Sequence, residues 1–403
     1  MGKPPIRVAF IVSHAIQYYC PLYQRLAKRD DIAIKVFFTW HSGATPVKDV
    51  AFGIPVKWDI PLTEGYDFEV VPNVSSDQGT RHFWGLINPT LVDRVSAWQP
   101  DVVHVTGWAW RSHLLAMRAF HKRGIPVLFR GDSNLLSRTQ RGPAWWAKRA
   151  VLSRVFAWPA IFLVVGKANW AYYEALGVRA DRLLLCPHSI DVNRFAEPHD
   201  VLEEEARRWR QQLGIAPDRR VLLFAGKFAR SKRPIELMRA VRASTDRRLL
   251  LVMVGSGKLE AEVKAIANAD PDRFRVLPFQ NQSRMPVVYR LGDLFVLPSG
   301  GPGETWGLAV NEALACGRPV LISDEVGCAA DVVDSSCGRV FSWAKPSSLV
   351  ANLHDMTRDL PSLVKMRGPA TKRAWCFDIQ RTEAILMSSL SHFPTRSGAS
   401  SSI

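Results

Sequence analysis

Two carboxylates, Glu304 and Glu312, stand eight residues apart in Pro298-Ser-Gly-Gly-Pro-Gly-Glu-Thr-Trp-Gly-Leu-Ala-Val-Asn-Glu-Ala-Leu-Ala-Cys-Gly-Arg-Pro-Val320. An apolar run ends at Leu297, a Gly/Pro loop follows, and Gly317-Arg318-Pro319 supplies a helix stop. The order predicts strand, loop, then a helix starting near Gly307–Leu308. That puts a helix N-terminus at the carboxyl end of a parallel strand, where open α/β sheets take ligands. The first N–H groups of a helix have no partner within it, so those of Gly307, Leu308 and Ala309 could face a phosphate, helped by the helix dipole. Glu304 before the helix and Glu312 inside it could accept hydrogen bonds from vicinal hydroxyls. The chemistry on offer is recognition of a phosphorylated, hydroxyl-rich molecule.

A second constellation, Phe224-Ala-Gly-Lys-Phe-Ala-Arg-Ser-Lys-Arg-Pro234, follows another apolar run. Gly226 lets backbone approach a ligand closely. Lys227, Arg230, Lys232 and Arg233 bring positive charge just past the strand end. Two of these cations and a helix N-terminus could clamp a diphosphate without a metal, stabilising a departing phosphate by side chains and dipoles. Isolated lysines and acids are ordinarily solvated surface charges. Their position after strand ends separates these from that background. Gly255 and Gly257 read equally as a plain turn or a ligand loop.

The elements that must carry these groups are legible in the apolar rhythm. Short β-branched runs at Ile6–Val12, Ile32–Phe38, Val102–Val105, Val127–Arg130, Ile161–Val165 and Leu183–Leu185 read as strands. Helical patterns lie between several of them, at Tyr19–Lys28, Arg111–Lys122 and Ala144–Ala157. Residues 40–85, rich in Pro, Gly, Asp and aromatics, interrupt the rhythm and read as an irregular insertion. After the polar helix Glu203–Gln212 the rhythm restarts at Val221–Ala225, Leu249–Val254, Phe274–Leu277, Leu294–Leu297 and Pro319–Ile322. Alternating strands and helices predict parallel sheets covered on both faces. The expectation is an α/β protein of two Rossmann-like domains, residues 1–190 and 191–376, with a ligand cleft between them. A helix over 377–390 and a Ser-rich tail at 391–403, expected to be disordered, complete the chain.

Composition narrows the partners. The chain has 403 residues and a formal net charge of +16. The surplus concentrates in residues 1–190, with 23 basic against 13 acidic side chains. Such a field favours anionic partners without choosing among nucleic acid, anionic lipid and phosphorylated small molecules. The six cysteines include no CxxC pair and no zinc spacing, so they read as free thiols, and no metal site is expected. The Ile6–Val12 run is too short for a signal-peptide core, and Val155–Val165 spans half a membrane at most and contains Pro159. A cytoplasmic protein without a transmembrane helix is expected. The stretch Arg138–Trp158 sets Arg138, Arg141, Lys148, Arg149 and Arg154 among Trp145, Trp146, Phe156 and Trp158. It fits either a helix lying on an anionic membrane or one packing on the sheet with a solvated basic face.

The stretch from Glu304 through Glu312 to Ala-Cys-Gly-Arg-Pro-Val resembles the signature of the family 4 retaining glycosyltransferases of the GT-B fold, of the bacterial cell-surface polysaccharide and lipid-linked glycan type. Gly226-Lys-Phe with Lys232 resembles that family's phosphate-binding loop. Val254-Gly-Ser-Gly, Asp293–Ser299 and Pro187–Phe195 echo further segments, with His188 and Ser189 replacing the usual Asn and Gly. The resemblance implies GT-B architecture, two Rossmann-like domains facing across a cleft, with the closing helix crossing back to the first domain. It implies that Glu312 binds the donor ribose and Glu304 the sugar hydroxyls. Lys227 and Lys232 would hold the diphosphate, with Gly307, Leu308 and Ala309 binding phosphate through backbone and Phe279–Gln282 flanking the base. The co-substrate would be a UDP- or GDP-sugar, with no cofactor or metal, and the acceptor a glycan or lipid-linked glycan.

On the acceptor side the resemblance points to Ser13-His-Ala-Ile-Gln-Tyr-Tyr, with His14 and Gln17 as candidate hydroxyl ligands. His104 ends a further strand, with Thr106 standing where the family often has a second histidine. Arg130 and Asp132 occupy a strand end where many members carry a histidine. Arg130 could hold an anionic group and Asp132 could accept the acceptor hydroxyl's proton; a plain Arg–Asp pair ordering the loop is the alternative. Together with Glu304 and Lys232 these two are the candidate catalytic groups. No nucleophile and base pair stands out, which agrees with the front-face retention that the resemblance implies, attack on the leaving-group face resting on positioning and charge stabilisation. A nucleotide-sugar epimerase or hydrolase of the same shape is the alternative. A nucleic-acid-binding protein rests on charge alone, with no recognition motif.

Overall fold

The computed structural model describes residues 4–41, 47–49, 54–136, 142–301, 303–345 and 347–393. Arg138, Arg141 and the tail beyond residue 393 lie outside them. Strands β1 (Ile6–His14) and β2 (Ile32–His41) open the chain, and a short hairpin, β3 (Val47–Asp49) with β4 (Ile54–Val56), follows. Next come β5 (Phe68–Val70), β6 (Val102–Thr106), β7 (Val127–Arg130), β8 (Ile161–Val164) and β9 (Leu183–Leu185). Apart from the hairpin they form one sheet, in the order β5-β2-β1-β6-β7-β8-β9. Every pairing in it is parallel. In β1 both faces are apolar and buried from Val8 to Val12, as a strand with layers on each side must be.

The second sheet contains β10 (Arg220–Ala225), β11 (Leu249–Val254), β12 (Phe274–Leu277), β13 (Leu294–Leu297), β14 (Val320–Ser323) and β15 (Gly338–Phe341). Its order is β12-β11-β10-β13-β14-β15, again wholly parallel. The order reverses beside β10: β11 lies on one side, β13 on the other. Loops leaving β10 and β13 therefore diverge to opposite faces and leave a crevice between them. These are the loops that carry Gly226–Lys232 and Glu304–Ala309. The chain-order reading missed β15, whose Gly338-Arg-Val-Phe is only half apolar. It also missed β5, which adds an edge strand from within the insertion over residues 40–85.

Each sheet buries an apolar cluster on both faces. The halves share packing at their junction. Val165, after β8, and Tyr18, after β1, join the core of the second domain. The helix Ile379–Leu390 lays Ile379, Leu386 and Leu390 into the core of the first, and its Glu383 pairs with Arg25 and Arg29. The chain thus crosses between domains twice, near residue 190 and near residue 378, and the crossings touch. Ile190 N–H donates to Phe377 O at 3.2 Å, Ile379 N–H donates to Ile190 O at 3.0 Å, and Val192 N–H donates to Asp378 Oδ2 at 3.1 Å.

Candidate functional site

The site is built where the β13 loop turns into the helix Leu308–Ala315. Gly307 caps that helix with φ +96°, a left-handed backbone that favours glycine, and a Cβ there would stand 2.8 Å from Val326 Cγ1. Trp306 just before it is buried, its indole Nε1–H donating to Asn311 Oδ1 at 3.0 Å, which fixes the angle at which the helix begins. Gly307, Leu308 and Ala309 line a cleft of about 1310 Å³ between the domains.

The lysine loop meets that helix start directly. Lys232 Nζ is ion-paired with the Glu304 carboxylate, three residues before Gly307. Gly300 N–H donates to Ser231 O at 2.9 Å, tying the two loops together. Arg233 secures the join from behind: its guanidinium stacks 3.6 Å over Trp343, pairs with Glu325 and reaches Pro298 O at 3.3 Å. Arg233 adopts φ +52°, a conformation costly for a residue with a side chain. Gly226 and Lys227 line the same cleft. Behind them a Cβ on Gly255 would come within 1.9 Å of Gly226 O, so Gly255 serves close backbone approach.

Glu312 lies farther along the helix, 2% exposed. Tyr289 Oη donates to its Oε2 at 2.5 Å, and Tyr18, from the first domain, lies against the same carboxylate. Burial pushes the Glu312 carboxyl above its ordinary range, with the Tyr289 bond and nearby Arg194 pulling the other way. Its Oε1 has no hydrogen-bond partner. Glu312 borders the cleft, but its unpartnered Oε1 is shielded from solvent, so a ligand hydroxyl reaches it only by displacing a neighbouring group.

Across the cleft stand His14, Gln17 and Asp132. His14 bonds Ser13 Oγ through Nδ1 at 2.9 Å and stacks on His41 at 5.3 Å. Burial and the neighbouring His41 push its pKa down to about 4, so it is neutral near pH 7. Asp132 accepts from Thr305 Oγ1 at 2.7 Å, linking the first domain to the loop before the helix start. The structure therefore brings Gly226, Lys227, Lys232, Glu304, Gly307, Leu308, Ala309, Glu312, His14, Gln17 and Asp132 to one cleft.

Two expected cleft residues are elsewhere, and the reading of them is corrected. Arg130 is 4% exposed, donates to Cys186 O at 2.8 Å and Pro187 O at 3.2 Å, and lies over the Tyr19 ring. It clamps the chain leading to the interdomain crossing, and its partners are Tyr19 and these carbonyls, not Asp132. His104 is buried against Phe10, and desolvation, aided by Arg130, pushes its pKa down to about 3. Both border a small inner void instead. β6 and β7 end deep under the linker, so their last side chains point into packed protein. Sequence reasoning did not single out Tyr18, Tyr289, Thr305 and Trp58. Tyr18 stood inside the quoted Ser13–Tyr19 segment and Thr305 inside Pro298–Val320; Tyr289 and Trp58 carried no local signal. Among the described residues no three His, Cys, Asp or Glu side chains converge at metal-binding spacing.

Two parallel-sheet domains facing across a polar cleft, with a closing helix returned to the first, define the GT-B class of glycosyltransferase fold. Anabaena HepE, solved in complex with UDP and glucose, superposes with a TM-score of 0.70 at 17% identity, covering 96% of this chain and 100% of that one. Residues 205–373 match the family described as Glycosyl transferases group 1. A D-inositol 3-phosphate glycosyltransferase 1 of Catenulispora acidiphila is 30% identical over 315 residues, 72% of each chain. The D-inositol 3-phosphate glycosyltransferase of Actinosynnema mirum is 35% identical over 191 residues, so that this chain spans 43% of that protein's length. The chain belongs to the group 1 glycosyl transferases.

Proposed function

We propose that the protein transfers a sugar from a UDP- or GDP-sugar to a hydroxyl of a glycan or lipid-linked glycan, with retention and without a metal. The observation that carries this is the contact of Lys232 with Glu304 at the start of the Leu308–Ala315 helix, because it joins a cation, a carboxylate and free helix amides at one point. Family membership, the glycosyltransferase names of its relatives and the UDP and UDP-glucose held by HepE support a nucleotide-sugar donor.

In this reading the diphosphate lies against the amides of Gly307, Leu308 and Ala309, and Lys227 and Lys232 neutralise its oxygens. It displaces Lys232 from Glu304, which then accepts from the donor sugar's hydroxyls. Glu312 receives the ribose hydroxyls. The acceptor hydroxyl, oriented by His14, Gln17 and Asp132, attacks the anomeric carbon on the face from which the phosphate leaves. The C–O bond to phosphate breaks, the new glycosidic bond forms, and the departing phosphate oxygen takes the acceptor's proton. Holding the partners in register supplies the acceleration.

The proposed setting is the cytoplasmic face of the cell envelope, in polysaccharide or lipid-linked glycan assembly. None of the helices among the described residues is long and apolar enough to cross a membrane. The helix Pro143–Val155 instead exposes Trp146 and Val151 beside Arg149 and Arg154, a surface suited to peripheral contact with anionic lipid. Nucleic acid is not a proposed partner.

The test is thermal. UDP or GDP should raise the melting temperature without added metal, and Lys232→Ala or Glu312→Ala should abolish the rise. A nucleoside diphosphate panel that leaves the wild-type protein unmoved overturns the proposal.

A further inference from the structure

The first domain sends a short arm across to the second. Asn281 Nδ2 donates to Lys57 O at 2.7 Å, Ser283 N–H donates to Asp59 Oδ1 at 3.0 Å, and the Ser283 hydroxyl bonds the other Asp59 oxygen. Asp59 N–H returns to Asn281 Oδ1 at 3.4 Å. The arm belongs to the insertion over residues 40–85, so a segment without regular structure is pinned on two faces of one turn, 224 residues away in the chain. Between the two anchors stands Trp58, half-buried, its ring 6.4 Å from that of Phe279. Both rings line the cleft.

The order of groups along the cleft says what lies there. Lys232 and the helix start mark the diphosphate end, and Glu312 comes next. Tyr289, bonded to Glu312, sits on the helix Met285–Arg290, and that helix leads back through Met285 to the turn at Phe279–Ser283. In this direction the walls include Met285, Phe279 and Trp58 with the amides of Gln280 and Gln282, the latter accepting from Arg194 at 2.7 Å. Apolar, planar walls with a few amides suit an aromatic heterocycle.

We infer that the Lys57–Asp59 arm is part of the donor site, with Trp58 forming an aromatic wall for the nucleobase and Asp59 acting as the positioning residue that holds the arm on the Asn281–Ser283 turn. Donor binding is then completed by the domain otherwise assigned to the acceptor. The inference rests on the proposed donor site and predicts a base-dependent effect.

The experiment compares wild type, Trp58→Ala, Trp58→Phe and Asp59→Ala by calorimetric titration with UDP, GDP and inorganic pyrophosphate. Trp58→Ala should weaken binding of the preferred nucleoside diphosphate about ten-fold, the size expected for one lost base–aromatic contact. It should leave pyrophosphate affinity unchanged. Trp58→Phe, which keeps a ring and tests for mere misfolding, should retain most of the affinity. Asp59→Ala should show a smaller loss of the same base-dependent kind. If wild type binds a nucleoside diphosphate and Trp58→Ala binds it equally well, or loses pyrophosphate in the same proportion, the arm is not part of the base site. If wild type binds none, the donor reading itself falls, which is a different result.

Discussion

At the scale of single residues, burial decides which charges are available. His104 and His113 are buried, and desolvation holds their pKa values down at about 3 and about 4. A histidine whose folded-state pKa lies below its unfolded value of about 6.5 adds stability above that value and loses it as pH falls through the window. The melting temperature should therefore drop between about pH 6.5 and pH 4, and His104→Phe, which fills the small void beside it, should flatten the drop. Glu312 carries the opposite sign. Its carboxyl is raised by burial, so the stability it contributes at low pH fades as pH climbs above the ordinary glutamate range. Calorimetric melts of Glu312→Gln should show that upper-side decline reduced. Glu304, Glu312, Lys227 and Lys232 were legible in the sequence because each follows a strand end and a glycine. Arg130 is the last residue of β7 and His104 lies inside β6, and the side chains of both are buried. A motif states where a residue stands along its strand and leaves open what packs over it.

Secondary-structure elements carry the next level of argument. Most strands of both sheets stood out as apolar β-branched runs, within one to three residues at their ends, because strands buried on two faces need that composition. β5 and β15 did not, because Phe-Glu-Val and Gly-Arg-Val-Phe are short and interrupted by Glu69 and Arg339, whereas the other two edge strands, β9 and β12, are apolar enough to be read. The helix Leu308–Ala315 depends on Gly307 for its entry. Gly307→Ala would face both a left-handed backbone and the 2.8 Å approach to Val326, a cost on the order of 1–3 kcal/mol. Urea denaturation should register that loss, and because the helix start would shift, nucleoside diphosphate binding should weaken with it. Arg130→Ala acts on a connection instead of a helix. Removing the guanidinium leaves the carbonyls of Cys186 and Pro187 without their donors, so about 2–3 kcal/mol of stability should go, measurable by the same titration.

For the whole molecule, the two-domain plan was readable as one rhythm used twice, and the cleft followed from that plan. The closing helix was expected to cross back, but the individual bonds that bridge the halves were not readable. The arm at Asp59, the bond from Thr305 to Asp132 and the pairing of Lys167 N–H with Asp331 join residues more than 160 positions apart, and no local pattern announces them. Asp378 is the most economical place to disturb this junction. It caps the last helix through Gln380 N–H at 2.8 Å and holds Val192 across the boundary. Asp378→Ala should lower stability by about 1 kcal/mol for the lost cap alone, and by more if the crossing loosens, as a denaturant midpoint would reveal.

That the chain's two passages between the halves are hydrogen-bonded to each other gives the molecule a single pivot. Two separate tethers on opposite flanks would confine the halves to sliding. A doubled strip along one line lets them swing like covers on a spine, so that in any such swing contacts nearest residues 190 and 378 change least and those at the free margin change most.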